Sequence, residues 1–165
     1  MNYEKHKKGY RTAAWMLFVL YLISMVYFLF FAESMGRTAT AKEYHYNLQP
    51  FREISRFIKY YQVLGFYAVF LNLAGNILAF VPFGLFYPLL SRRSRSFWKV
   101  TLLSCEVSIL VEIIQLVTRV GSCDVDDMIL NTLGGMIGYL LFKTIWVWHW
   151  RGSKGALLNE EKSAS

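Results

Sequence analysis

The sequence predicts an all-α membrane protein, a four-transmembrane-helix bundle with an amphipathic segment in its first outer loop. Three observations carry that prediction. Four apolar runs of bilayer-spanning length divide the chain. The 165 residues are 55% hydrophobic and 18% aromatic, with a mean hydropathy of +0.32, too apolar for an ordinary soluble globule. Lys and Arg gather beside the apolar runs, as anchoring charges do. The formal charge of +7 therefore reads as membrane orientation, and no nucleic-acid partner is expected.

Residues 1–150 make a single transmembrane domain. Its first run, Thr12 to Ala32, follows Lys5, Lys7, Lys8 and Arg11. It is too long for a signal-peptide core and lacks a small-residue cleavage site, so a retained helix is expected. The second, Val63 to Leu90, exceeds the need of one span, and Pro82 should kink it near Phe80–Gly84. Val100 to Val117 is the third run and Met128 to Trp148 the fourth. Trp146, Trp148, His149 and Trp150 close the fourth as an aromatic belt. The Gly-, Ser- and Lys-bearing tail 151–165 is expected to be cytoplasmic and disordered.

Orientation follows from the flanking cations. Placing both termini on one side collects eleven Lys and Arg there, including Arg92, Arg93, Arg95 and Lys99. The other side holds six: Arg37, Lys42, Arg52, Arg56, Lys59 and Arg119. Both termini are therefore expected in the cytoplasm. In the outer loop, Pro50 suits a first helical turn, and Phe51, Ile54, Phe57, Ile58 and Tyr61 recur at helical spacing. An interfacial amphipathic helix fits, with an ordinary solvated loop as the alternative. Cys105 and Cys123 are separated by a helical stretch too long for a bridge within one chain.

Polar residues interrupt the apolar runs in register. Ser104, Ser108, Glu112, Gln115 and Arg119 follow steps of three or four, which keeps them on one face of the third helix. Glu106 lies off that stripe, facing a neighbour or snorkelling. Asp127, Asn131, Gly134 or Gly135, and Gly138 share a face of the fourth helix, and Asn72, Asn76 and Phe80 one of the second. Turned toward each other, the stripes would make a cleft open to the outer leaflet, with Asn76 nearer the midplane. Ionisable groups at membrane depth usually mark function. They also serve structure. Asp124 suits an N-cap, and Asp126 or Asp127 would favour the positive end of the fourth helix. Glu112 can bond Asn131 or Asn76 across helices.

These residues resemble the VanZ-like family of small bacterial membrane proteins. The matching pieces run in order: Asn47-Leu48-Gln49-Pro50-Phe51-Arg52; Gly75-Asn76 through Phe80-Val81-Pro82-Phe83-Gly84; Glu112-Ile113-Ile114-Gln115; then Asp124, Asp127, Asn131, Gly134, Gly135 and Gly138. The first helix fits by hydropathy alone, while Glu106 and the short basic tail depart from the pattern. The resemblance implies a multi-pass protein of the bacterial plasma membrane. The family's founding member is associated with low-level resistance to teicoplanin, a lipid-bearing glycopeptide.

Three kinds of chemistry suit such a site. A binder of anionic or lipid-linked headgroups would use Arg119, Arg52 and Arg56 on a phosphate, with Asn76, Glu112, Gln115, Asp124, Asp127 and Asn131 lining the site. An intramembrane hydrolase or transferase would use Glu112 and Asp127 as acid and base. No cofactor or metal is expected; a divalent cation, if one binds, would fall to Asp124 and Asp127. A small lipid transporter would need a homodimer to supply enough moving material.

Overall fold

Lipid tails are as apolar as leucine, so burial of apolar area does little to hold membrane helices together; close packing and hydrogen bonds must do it. A computed structural model describes the backbone of residues 2–27, 46–91, 93, 95–119 and 122–163, and the side chains of 12–27, 46–91, 93, 95–119 and 122–148. The elements run α1 (Asn2–Tyr27), β1 (Tyr46–Asn47), α2 (Arg52–Lys59), α3 (Tyr61–Leu64), α4 (Phe66–Leu90), α5 (Phe97–Thr118), β2 (Cys123–Asp124) and α6 (Val125–Ser163).

Three helices are long and apolar enough to cross a membrane: Phe66–Leu90, Phe97–Thr118 and Val125–Trp148. In α1 the described apolar stretch is Thr12–Tyr27, shorter than the ~20 residues of a span. Residues 28–32, which complete the first apolar run, lie outside the described residues, as do residues 33–45. α4 continues through Pro82 and Pro88 to Leu90.

Glycine sets the principal packing, between α4 and α6. A Cβ on Gly84 would lie 2.0 Å from the Gly135 carbonyl oxygen, and one on Gly138 2.1 Å from that of Val81. The two backbones therefore touch directly. Around this seam, α1 docks Phe18 against Phe83, and its Tyr21 hydroxyl donates to the Ala79 carbonyl at 2.6 Å. Next to Gly138 on α6, Tyr139 donates to the Arg95 carbonyl at 2.9 Å. The Arg95 guanidinium lies 4.0 Å from the Trp146 ring centroid, a cation–π contact that fixes the α4–α5 loop.

Two features lie outside what the apolar runs predict. The fold is not purely helical, because β1 and β2 pair in parallel, Tyr46 with Cys123 and Asn47 with Asp124. Two-residue strands carry no alternation for a sequence pattern to reveal. The tail expected to be disordered continues α6 as helix to Ser163. The run 156–162 (Ala-Leu-Leu-Asn-Glu-Glu-Lys) is rich in helix formers, and extending an existing helix avoids the nucleation penalty.

Candidate functional site: a buried polar seam at the α5–α6 turn

The spacing of the α5 stripe places its polar groups as expected. Ser104 and Ser108 are fully buried, and Glu112 and Gln115 are 2% and 4% exposed. Arg119 leaves the stripe: it is exposed and adopts a left-handed conformation (φ 56°) that ends α5, its backbone N–H donating to the Gln115 and Leu116 carbonyls.

Beyond this turn the chain returns through β2 into α6. Glu112 Oε2 accepts the Asp124 backbone N–H at 2.9 Å. The Asp124 carboxylate accepts from the Asn47 side-chain amide at 3.1 Å and from the Asp126 backbone N–H at 2.8 Å. Burial pushes the Asp124 carboxyl above its ordinary value; the Asp126 N–H and the Asn47 amide oppose that rise, the Asp126 charge adds to it, and Arg56 lowers it. Cys123 is also pushed up, first by burial and then by the charges of Glu112 and Asp124.

Asp126 reaches away from its own helix. Its carboxylate accepts the backbone N–H groups of Phe51 at 2.5 Å, Glu53 at 2.7 Å and Ile54 at 3.0 Å. These are among the donors that the first turn of α2 leaves unmatched, so Asp126 caps a helix some seventy residues earlier. Phe51 takes a left-handed conformation (φ 64°) at that junction. Pro50 consequently stays outside α2, which begins at Arg52 rather than with proline in its first turn.

The α4–α6 contact has its own polar pairs. The Asn76 side-chain amide donates to the Asp127 carboxylate. Asn76 is therefore level with the first turn of α6 rather than at mid-depth, because α4 begins ten residues farther out at Phe66. Asn131, 1% exposed, donates to Ser108 Oγ at 2.9 Å, and its Oδ1 is buried without a hydrogen-bond partner among the described residues. Asn72 faces outward, where its amide reaches the Ala68 carbonyl of its own helix at 3.4 Å.

These contacts close the seam. Where the stripes were expected to line a cleft, Glu112, Asp124, Asp126 and Asn131 are each no more than 7% exposed. Glu112 bonds the turn backbone rather than the side-chain partners expected for it. The basic residues stand outside. Arg52 is exposed, and Arg56, 54% exposed, pairs with Glu53 at 2.6 Å. Of the pair offered as acid and base, Glu112 accepts the Asp124 backbone N–H and Asp127 accepts the Asn76 amide. Among the described residues no group of three or more His, Cys, Asp and Glu could hold a metal. Asp124 and Asp127 are engaged by Asn47 and Asn76.

Asn47 and Asp126 join the site although helical spacing does not single them out. Their signal was present in the Asn47-Leu48-Gln49-Pro50 segment and in the third carboxylate of the Asp124–Asp127 turn. The fold is what brings these two segments together.

The seam residues fall within a match to known proteins. A family model described as VanZ/LLP1 matches residues 18–147. Protein VanZ of Enterococcus faecium is 26% identical over 129 residues, covering 76% of this chain and 71% of that protein. No solved structure matches. With most of its length inside that match, including α4, α5 and every residue of the seam, the chain belongs to the VanZ/LLP1 family.

Proposed function

We propose that this membrane protein crosses the bacterial plasma membrane four times with both termini in the cytoplasm. On this reading it binds an anionic lipid headgroup or lipid-linked cell-wall precursor at the outer leaflet. Its contribution to the cell is protection against teicoplanin-type glycopeptides, as the family resemblance implies.

The observation that carries this reading is the fixed pose of α2. Asp126 holds the helix by its N-terminus, while Arg52, Arg56 and Lys59 stay exposed beside Phe51 and Ile58, which are 60% and 61% exposed. Exposed apolar side chains enter the acyl boundary, and guanidinium groups at that level suit phosphate oxygens. Arg119, exposed at the end of α5, adds a third guanidinium to the same outer turn. The buried seam is then the anchor that sets the basic surface at a defined height, rather than the surface itself.

The test compares lipids that co-purify with wild type and with the Arg52→Ala/Arg56→Ala double variant, by mass spectrometry at matched membrane levels. A phosphate- or pyrophosphate-bearing lipid enriched on wild type and lost from the variant is expected, together with lost teicoplanin tolerance. Identical lipid profiles and unchanged tolerance would overturn the reading.

A further inference from the structure

The buried stripe of α5 has an opposite face, and that face carries an acidic side chain. Glu106 is exposed and forms no hydrogen bond or ion pair with the other described residues. It stands nine residues from Phe97 and twelve from Thr118, or about 14 Å and 18 Å from the two ends of the helix. That is close to the middle of a ~30 Å hydrocarbon core, too deep for a short carboxylate side chain to reach either interface. An acidic group there, turned outward from the bundle, is expensive and calls for a partner. Among the described residues of the apolar helices, it is the one exposed acid.

Its surroundings have the pattern of a helix seam. Leu102, Glu106, Ile109 and Ile113 follow steps of four, three and four, the spacing that keeps residues on a straight line between two supercoiled helices. Leu102, Ile109 and Ile113 are 61%, 39% and 49% exposed, so the stripe is uncovered along its length. A single polar residue within such an apolar seam is the usual device for fixing register and partner number.

We propose that this face of α5 is a self-association surface, on which two copies of the chain pack α5 against α5 in parallel with their Glu106 side chains facing one another. Copies with the same topology are related by an axis along the membrane normal, so a residue near the axis meets its own equivalent at the same depth. A carboxyl group is its own hydrogen-bond complement, since one donates its O–H and the other accepts. The pair shields from lipid what each copy alone exposes. The seam lies on the side of α5 away from Glu112 and Gln115, so dimerisation leaves the polar turn and α2 intact.

The experiment measures the dimer fraction of the full chain in vesicles by single-molecule photobleaching or energy transfer, across a dilution series in lipid. Wild type should dimerise, and Glu106→Leu should weaken the dimer about tenfold. Glu106→Gln should retain it, because a carboxamide also pairs with itself. In a Cys105→Ser/Cys123→Ser background, Ile109→Cys should cross-link between copies under mild oxidation, and Leu140→Cys on the exposed face of α6 should not. A monomeric wild type, or equal cross-linking at both positions, would overturn the proposal. Loss of the dimer in Glu106→Gln as large as in Glu106→Leu would also overturn it, pointing to a cation on a different membrane protein as the group that covers Glu106.

Discussion

The Asp126 carboxylate accepts the backbone N–H of Phe51, 75 positions earlier in the chain, at 2.5 Å. Through that contact and those to Glu53 and Ile54, one side chain at the start of α6 decides where α2 begins and how it sits. A charged acceptor also complements the positive end of the α2 dipole.

Asp126→Ala should therefore release α2 without dissolving the α4–α6 core. Hydrogen bonds to a charged group contribute about 1.5–3 kcal/mol, so amide exchange at Glu53 and Ile54 should accelerate by one to two orders of magnitude. Exchange in the middle of α5 should stay unchanged. Uniform acceleration in both places would mean that Asp126 holds the whole bundle instead.

The glycines divide by what surrounds them. Gly84→Ala and Gly138→Ala place a methyl within about 2 Å of a facing carbonyl oxygen, so each should lower stability by about 3 kcal/mol or more, read as thermal unfolding in detergent. Gly75 has nothing within 4 Å of its Cβ position. Gly75→Ala should be neutral or stabilise by up to about 1 kcal/mol, the helix-propensity difference. Equal losses at Gly75 and Gly84 would contradict the packing.

Cys123 reports on Glu112. Burial raises its thiol above the ordinary value, and the charges of Glu112 and Asp124 raise it further, so it should alkylate slowly near pH 8. In a Cys105→Ser background, Glu112→Gln keeps an oxygen for the Asp124 N–H but removes a negative charge. The pH–rate profile for alkylation of Cys123 should then shift to lower pH. An unshifted profile would show that Glu112 carries no charge in the folded protein.

Asp124 gives stability a pH dependence of definite sign. Its carboxyl is raised by burial, so the folded state holds the proton more tightly than the unfolded state. The resulting stabilisation is complete below the ordinary carboxylate value and is lost as pH rises through the raised one. Asp124→Asn keeps an acceptor for Asn47 and Asp126 and cannot titrate. The stability difference between variant and wild type should therefore grow in the variant's favour across that window. A constant difference would refute the assignment.

Periodicity alone determined much of this protein. Steps of three and four placed Ser104, Ser108, Glu112 and Gln115 on one buried face of α5, and apolar length marked the helices that can cross a membrane, because both are local properties of consecutive residues. Tertiary structure decided the partners. Glu112 meets the Asp124 backbone, Asn131 meets Ser108, Asn76 meets Asp127, and Asp126 caps α2. Each depends on the axial offset between neighbouring helices, which the glycine contacts between α4 and α6 set and no single helix encodes. The parallel pairing of β1 with β2 closes a loop of more than seventy residues, a contact between segments too short to carry a pattern. Helical spacing identified which residues turn inward, and the packing of one helix on another chose what each of them holds.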